Sequence, residues 1–468
     1  MSDTTSDRSS VPVLAALAAA TLTASMGISI ASVLLPALTR GFSATITGVQ
    51  WVVLAYLLAV TVTIVSAGRL GDLFGHRRVL IAGLLAFIAA SGVCAMAPSL
   101  KVLVAGRAVQ GAGGAILIAL PMSIARDRVA TERLGMAMGV LGTMSATGTA
   151  LGPSLGGAML AWADWRAAFW LLAGFALFTL VLAVAVLARG APRPRASARD
   201  LDVPGTVLLV IALAAYALAA GGGAPEVPFG TGTLVVGAMV AFALFVLVES
   251  RSAAPLVPMR LLRDRRTGAG FAMNLLVGTV MMSTLVVAPF YLAFSLGLDE
   301  AMIGLVMSVG PVVAALSGIP AGRLTDRLGS ARVMVLGLVQ TMAGLLCLAF
   351  LPRVFGVPGY IVALIVLTPA FQLFLAANNT AVLLDAPVEQ RGRLSGLLGV
   401  SRNLGLMTGA SAMPGVFVAV LGTGNAAEAS TAEVAHAFSM TFALAAGLAL
   451  LTLALAFFSH AGRPSRAS

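Results

Sequence analysis

Charge is what this chain has least of: only 10% of its 468 residues are Asp, Glu, Lys or Arg, against about 25% in an average soluble domain. A soluble fold of this length needs a charged skin, so the shortage excludes one. Lysine is almost missing, with Lys101 the single example, and histidine occurs 3 times. The 2 cysteines, Cys94 and Cys347, lie inside apolar runs without neighbouring ligands, which argues against a disulfide framework or a metal centre. No Gly-rich stretch is followed by the Lys-Ser/Thr of a phosphate-binding loop, so ATP drive is not expected. No nucleophile and base cluster together either, so neither an enzyme nor a cofactor is expected.

What is abundant is apolar length: 59% of the residues are hydrophobic. Runs of about 20 such residues, enough for a helix to cross a hydrocarbon core of roughly 30 Å, recur along nearly the whole chain. The first, from Val11 to Pro36, is longer than the roughly 7–15 apolar residues of a signal peptide and reads as a retained span. Breaking the chain at its charged or Pro/Gly-rich hops gives about fourteen candidate helices. Among them are 12–36, 49–67, 79–97, 332–351, 358–383 and 394–421. The expected fold class is therefore an all-α membrane protein.

The formal net charge of +11 does not point to nucleic acid, because the arginines sit in short hops between spans and offer no continuous solvated face. Placing the N-terminus in the cytoplasm puts 23 basic residues on the inner side and 4 on the outer, with Arg107 and Arg402 inside spans. Such an asymmetry is the signature of an even number of spans with both termini cytoplasmic.

Scarce charges are spent twice on one short pattern. GRLGDLFGHRRV, from Gly68 to Val79, returns as GRLTDRLGSARV, from Gly322 to Val333. A shift of 254 positions superposes Arg69 on Arg323, Asp72 on Asp326, Gly75 on Gly329 and Arg78 on Arg332. Both copies fall on the cytoplasmic side, so the duplication is a parallel repeat. Eight spans separate them, which fits two six-helix bundles with two inserted spans between. The expected layout is 1–190 as the first bundle, 191–266 as linker and insert, and 267–468 as the second bundle.

Four patterns carry a resemblance. The first copy of the turn, with Arg69, Asp72, Arg77 and Arg78, is one. LVAGRAVQGAGGA, containing Arg107 and Gln110, is the second. The third comprises Gly148, Gly152, Pro153, Gly156 and Gly157, and the last is Trp51-xxx-Ala55-Tyr56. Together they resemble the major facilitator superfamily, and within it the fourteen-span drug:proton antiporter branch. The resemblance implies a 6+2+6 major facilitator fold and export of small organic compounds by alternating access, coupled to protons. It also implies a monomer in a bacterial inner membrane. Arg69, Asp72, Arg77, Arg78, Arg323 and Asp326 would form a conformational latch on the cytoplasmic side.

The residues have readings of their own. Gly148, Gly152 and Gly156 stack on one helix face at four-residue spacing, a seam for close helix packing, and Pro153 removes one internal hydrogen bond. Arg107 lies several residues inside its span, where a charge costs roughly 2.5–3.5 kcal/mol at the helix centre and should face a wet cavity or a partner. Gln110, Gly111 and Gly114 follow on the same face. Tyr56, Asn274, Gln372, Asn378 and Asn379 are further polar side chains that could touch substrate or couple to it.

One position departs from the branch. Where its first span usually carries an acid, this chain has Gly27, and none of the 18 acids lies deep in a span, Glu249 and Asp385 coming nearest. A cation exchanger wants a buried carboxylate whose proton and drug compete. Without one, the cavity suits neutral or anionic compounds, and protons would pass through Asp72 or Asp385 or ride on the substrate. The alternative reading is an exporter or facilitator of anionic or neutral metabolites with Arg107 as the substrate-binding cation.

Overall fold

The structure is a computed structural model that describes residues 4–129, 134–187, 203–220, 231–251, 264–384 and 388–460. Every regular element among them is a helix. In chain order these are α1 (Thr4–Phe42), α2 (Ile46–Val49), α3 (Trp51–Phe74), α4 (His76–Ala95), α5 (Leu100–Arg128), α6 (Leu134–Trp162) and α7 (Trp165–Val186). There follow α8 (Val203–Ala220), α9 (Thr231–Arg251), α10 (Arg265–Val286), α11 (Ala288–Phe294), α12 (Glu300–Leu328), α13 (Ser330–Leu384), α14 (Val388–Leu421) and α15 (Thr431–His460). Eleven helical segments among the described residues are long and apolar enough to cross a membrane.

The spans expected at 332–351 and 358–383 run together as α13, bent at Gly356, whose φ of 58° and ψ of −134° lie outside helical values. Its two halves fold face to face: a Cβ on Gly337 would lie 2.8 Å from Phe374 N, and one on Gly344 would lie 2.7 Å from Leu367 Cα. Gln340 Nε2 donates to Val366 O at 3.0 Å across the same contact.

The repeated pattern is more helical than a loop. α3 continues through Arg69 and Asp72 to Phe74, and α4 starts at His76, so only Gly75 interrupts them. Likewise α12 runs to Leu328 and α13 begins at Ser330, leaving Gly329 alone. Gly75 has φ 91° and Gly329 φ 82°, a region where a Cβ is strongly disfavoured. Gly75 N donates to Gly71 O and its carbonyl accepts from Val79 N; Gly329 does the same with Thr325 O and Val333 N. The helices outrun the apolar windows because charged side chains at the end of a span remain solvated while the backbone keeps its hydrogen bonds.

The chain packs as two compact units. The first comprises Met1–Ala44, Trp51–Ala214 and Asp299–Ser308. Here α1 lies along α6: a Cβ on Gly148 would strike Leu22 O, one on Gly152 would strike Ser29 Oγ, and one on Gly156 would lie 2.6 Å from Val33 Cγ1. The second unit comprises Thr45–Gln50, Ala215–Leu298 and Val309–Ser468. Here α10 lies along α14 in the same manner, with Gly405 against Leu275 O and Gly409 against Thr279 O. The end of α8 docks on the other side of α14, where Tyr216 OH donates to Thr408 Oγ1 at 3.1 Å and Ser411 Oγ to Ala217 O at 3.3 Å.

Helix starts are capped by short polar side chains. Asp264 caps α10, its Oδ2 accepting from Thr267 N at 3.0 Å and Thr267 Oγ1 at 2.8 Å. The Thr267 backbone N–H, followed by the hydroxyl, holds this carboxyl below the usual carboxylate range. Its contribution to folding is therefore full above the unfolded value near pH 4 and is lost as pH falls through the lower folded value. Asp264→Ala should cost about 0.5–2 kcal/mol at pH 7. In amide exchange of the first turn of α10, the difference from wild type should shrink as the pH is taken below about 4. A pH-independent difference would mean that the cap is not what stabilises this end.

Candidate functional site

In the first unit a cluster of in-span polar residues surrounds one side chain. Arg107 on α5 is 0% exposed, and its guanidinium reaches three neighbours. Nε donates to Val52 O at 2.8 Å, Nη2 to Gly27 O at 3.0 Å, and Nη1 to Gln110 Oε1 at 2.5 Å. Gln110 Nε2 then donates to Ser91 Oγ at 2.7 Å, and the Ser91 hydroxyl to Phe87 O at 2.7 Å. One side chain thus ties α1, α3 and α5 together, and through Gln110 it reaches α4. Tyr56 completes the cluster: the Arg107 Cζ lies 4.2 Å from its ring centroid, and its hydroxyl donates to Ala24 O at 3.0 Å.

These helices come close because glycine lines the α5 face. A Cβ on Gly111 would strike Tyr56 O, and one on Gly114 would strike the Tyr56 hydroxyl. A Cβ on Gly113 would lie 2.8 Å from Gly83 O of α4. The charge is answered by neutral groups: among the described residues, no carboxylate forms an ion pair with Arg107. Three oxygen acceptors and an aromatic face take that role.

Gly27 sits at the centre of this arrangement. Its carbonyl accepts from Arg107, and a Cβ there would lie 3.1 Å from both Phe87 Cζ and Tyr56 OH. The volume an acidic side chain would need is filled by Phe87 and Tyr56. Sequence reasoning singled out Tyr56, Arg107 and Gln110, and the structure brings them together. It did not identify Ser91, Phe87 or the carbonyls of Val52 and Gly27; only Ser91 carries a sequence signal, as a lone hydroxyl on the span beside Gln110.

In the second unit, Asn378 of α13 bonds to α10, and Asn274 of α10 bonds to α14. Asn378 Nδ2 donates to Gly270 O at 3.2 Å, and Asn274 Nδ2 to Leu398 O of α14 at 2.7 Å. Ser401 Oγ adds a bond to Phe271 O at 2.5 Å. Both side-chain oxygens are buried with no hydrogen-bond partner among the described residues, and the donations to carbonyls fix their orientation. Gln372 is half-buried and Asn379 exposed, and neither joins this cluster.

The residues expected as a latch are spread out. Asp72 is exposed, and its Oδ1 lies 3.2 Å from His76 Nε2, one turn on. Arg77 donates through Nε to Leu187 O at 2.6 Å and through Nη2 to Val184 O at 3.4 Å, closing the C-terminal end of α7. Arg78, Arg323 and Asp326 are exposed. The side chain of Arg69 and the whole of Asp385 lie outside the described residues. Glu249 is buried in the last turn of α9. On α6, Pro153 is buried, and Gly157 meets Gly304 within the first unit, a Cβ on either coming 2.6 Å from the other's Cα.

The family model described as Major Facilitator Superfamily matches residues 17–254 and 270–468. The uncharacterized transporter YebQ of Escherichia coli (strain K12) is 32% identical over 386 residues, covering 82% of this chain and 84% of that one. The riboflavin transporter RibZ of Clostridioides difficile (strain 630) is 26% identical over 434 residues, covering 92% and 93%. The tetracenomycin C resistance and export protein of Streptomyces glaucescens is 28% identical over 418 residues, covering 87% and 76%. Among solved structures, a bacterial homolog of the human lysosomal transporter Spinster superposes with a TM-score of 0.71 at 14% identity, covering 97% and 98%.

Proposed function

The chain belongs to the major facilitator superfamily of membrane transporters, and from that premise we propose that it exports small organic compounds by alternating access. It does so as a fourteen-span monomer of 6+2+6 layout in a bacterial plasma membrane. Both termini are cytoplasmic, and the proton gradient supplies the drive.

The observation that carries this reading is the duplicated seam. In each unit two long helices, α1 with α6 and α10 with α14, meet along glycines that put no side chain of their own into the contact, so the partner helix comes close enough to strike a Cβ at Gly148, Gly152, Gly405 and Gly409. Such contacts let packed helices shift as rigid bodies without unpacking a core. Export, rather than uptake, is supported by the relative from Streptomyces glaucescens, named for resistance and export. The charge at Arg107 is enclosed and hydrogen-bonded, so its contribution is to hold α1, α3 and α5 in one body. Gly27, packed under Phe87 and Tyr56, supplies no carboxylate for cation exchange, and the substrates are accordingly neutral or anionic.

The test is flux of a mixed panel of cationic, neutral and anionic compounds in proteoliposomes, with and without an imposed pH gradient. Gradient-driven movement of neutral or anionic compounds is expected. Movement of cations alone would restore an acid-based exchange, and no movement of any compound would remove the transporter reading. Asp72→Asn and Asp385→Asn, assayed in parallel, should slow the coupled flux if either carboxylate carries the proton. Unchanged flux in both leaves the proton riding on the substrate.

A further inference from the structure

We propose that Arg402 is the anion-recognising group of the transport pathway, taking the carboxylate or sulfonate head of an amphipathic organic anion. This deepens the transporter reading and rests on it. Of the two in-span arginines, Arg107 is enclosed with its donors engaged, whereas Arg402 on α14 is exposed. Among the described residues, no hydrogen bond or ion pair engages the Arg402 guanidinium.

Its depth makes exposure informative. A Cβ on Gly278 of α10 would lie 2.9 Å from Arg402 O, so the two residues are level. Gly278 stands about 20 Å from Arg265, where the α10 span begins, at ~1.5 Å per residue. That is deep inside a hydrocarbon core of roughly 30 Å, about 20 Å from one face and about 10 Å from the other. Arginine stays charged throughout the accessible pH range. A permanently charged, exposed and unpaired group at this depth is untenable against lipid and requires a water-filled path.

α14 cannot turn to hide it. Leu398 O is held by Asn274, Ser401 by Phe271 O, and Thr408 by Tyr216. Gly405 and Gly409 are pressed against Leu275 O and Thr279 O. Toward the remaining side lie Gly399, where a Cβ would meet nothing within 4 Å, and half-buried Asn403. The planar fork of arginine suits a carboxylate or sulfonate, the neighbouring amide can serve a polar substituent, and the apolar surroundings suit the body of the ligand.

Two measurements test this on the full-length protein. In a background with Cys94 and Cys347 replaced by serine, the thiol introduced by Arg402→Cys should react with a charged, membrane-impermeant methanethiosulfonate in proteoliposomes at least tenfold faster than one introduced by Phe178→Cys, an exposed apolar position on α7. An unreactive thiol removes the water path and overturns the assignment. In thermal-shift titrations of the purified protein, naphthalene-2-sulfonate should stabilise wild type and, more weakly, Arg402→Lys. The sulfonate response of Arg402→Gln should fall at least tenfold in apparent affinity, while naphthalene-2-sulfonamide affects all three alike. No response in wild type, or an equal response in Arg402→Gln, overturns the proposal. Gradient-driven flux of the sulfonamide that is indifferent to Arg402 would leave the transporter reading intact without this site. Arg402-dependent sulfonate binding without flux of any compound would do the reverse.

Discussion

Arg107→Ala is expected to lose transport by at least tenfold and to lower the unfolding free energy of the first unit by about 3 kcal/mol or more. Hydrogen bonds inside membrane bundles average ~0.6 kcal/mol and reach ~1.7. Three of them from one guanidinium, with their acceptors on α1, α3 and α5, therefore set a range of about 2–5 kcal/mol. The cavity left under the Tyr56 ring adds to it, and Val52 O and Gly27 O lose their donor in a buried setting. Arg107→Lys separates charge from geometry. A single ammonium cannot reach three acceptors spread over a planar fork, so this variant should recover part of the stability and little of the transport. Thermal unfolding in detergent and proteoliposome flux measure the two. Near-wild-type flux in Arg107→Ala would show that the cluster is packing alone.

The second large effect is expected along α6. Gly152→Ala should cost about 1–3 kcal/mol, the range for forcing extra atoms into a packed contact, and should slow transport at least tenfold. The new methyl would overlap Ser29 Oγ and lie 2.8 Å from Ile30 N. Ile30 N belongs to the α1 backbone, which cannot yield as a side-chain tip can. Gly142→Ala on the same helix is the control: a Cβ there meets nothing within 4 Å. The same substitution should stabilise the protein by about 0.4–1 kcal/mol through the unfolded chain. Opposite signs from one chemical change would locate the seam. Equal small effects would mean that α1 and α6 tolerate separation, and that the four-residue glycine spacing is incidental to motion.

The sequence disclosed the all-helical membrane class because the signal is additive: about 20 consecutive apolar residues state a span without reference to any partner. Gly148, Gly152 and Gly156 were legible for a similar reason, since their spacing lies within one helix. Arg107 stood out as a charge where none is cheap. Its partners did not, because backbone carbonyls at Val52 and Gly27 exist at every position and acquire meaning only when helices distant in sequence meet. Gly27 was visible only as a missing acid; that Phe87 and Tyr56 close over it is a property of packing. The pattern from Gly68 to Val79 looked like a loop because its charges mark the membrane edge. Charge density and backbone conformation are separate matters, and the helix continues to Phe74. Arg402 reads from the sequence as a residue inside a span, and its level beside Gly278 gives its depth.

The one-residue joints at Gly75 and Gly329 carry a consequence for register. A conventional connection can absorb an added or lost residue by changing its path, but a joint made of one residue has no slack to give. A single insertion beside Gly75 would rotate α4 by about 100° about its axis, carrying Gly83 away from Ile116, against which it now packs. At Gly329 the same change would carry Gly337 away from Phe374. Each glycine therefore acts as an indexing pin: it fixes the angular phase of one transmembrane helix against the next, and any tilt imposed on α3 or α12 passes to its neighbour without backlash.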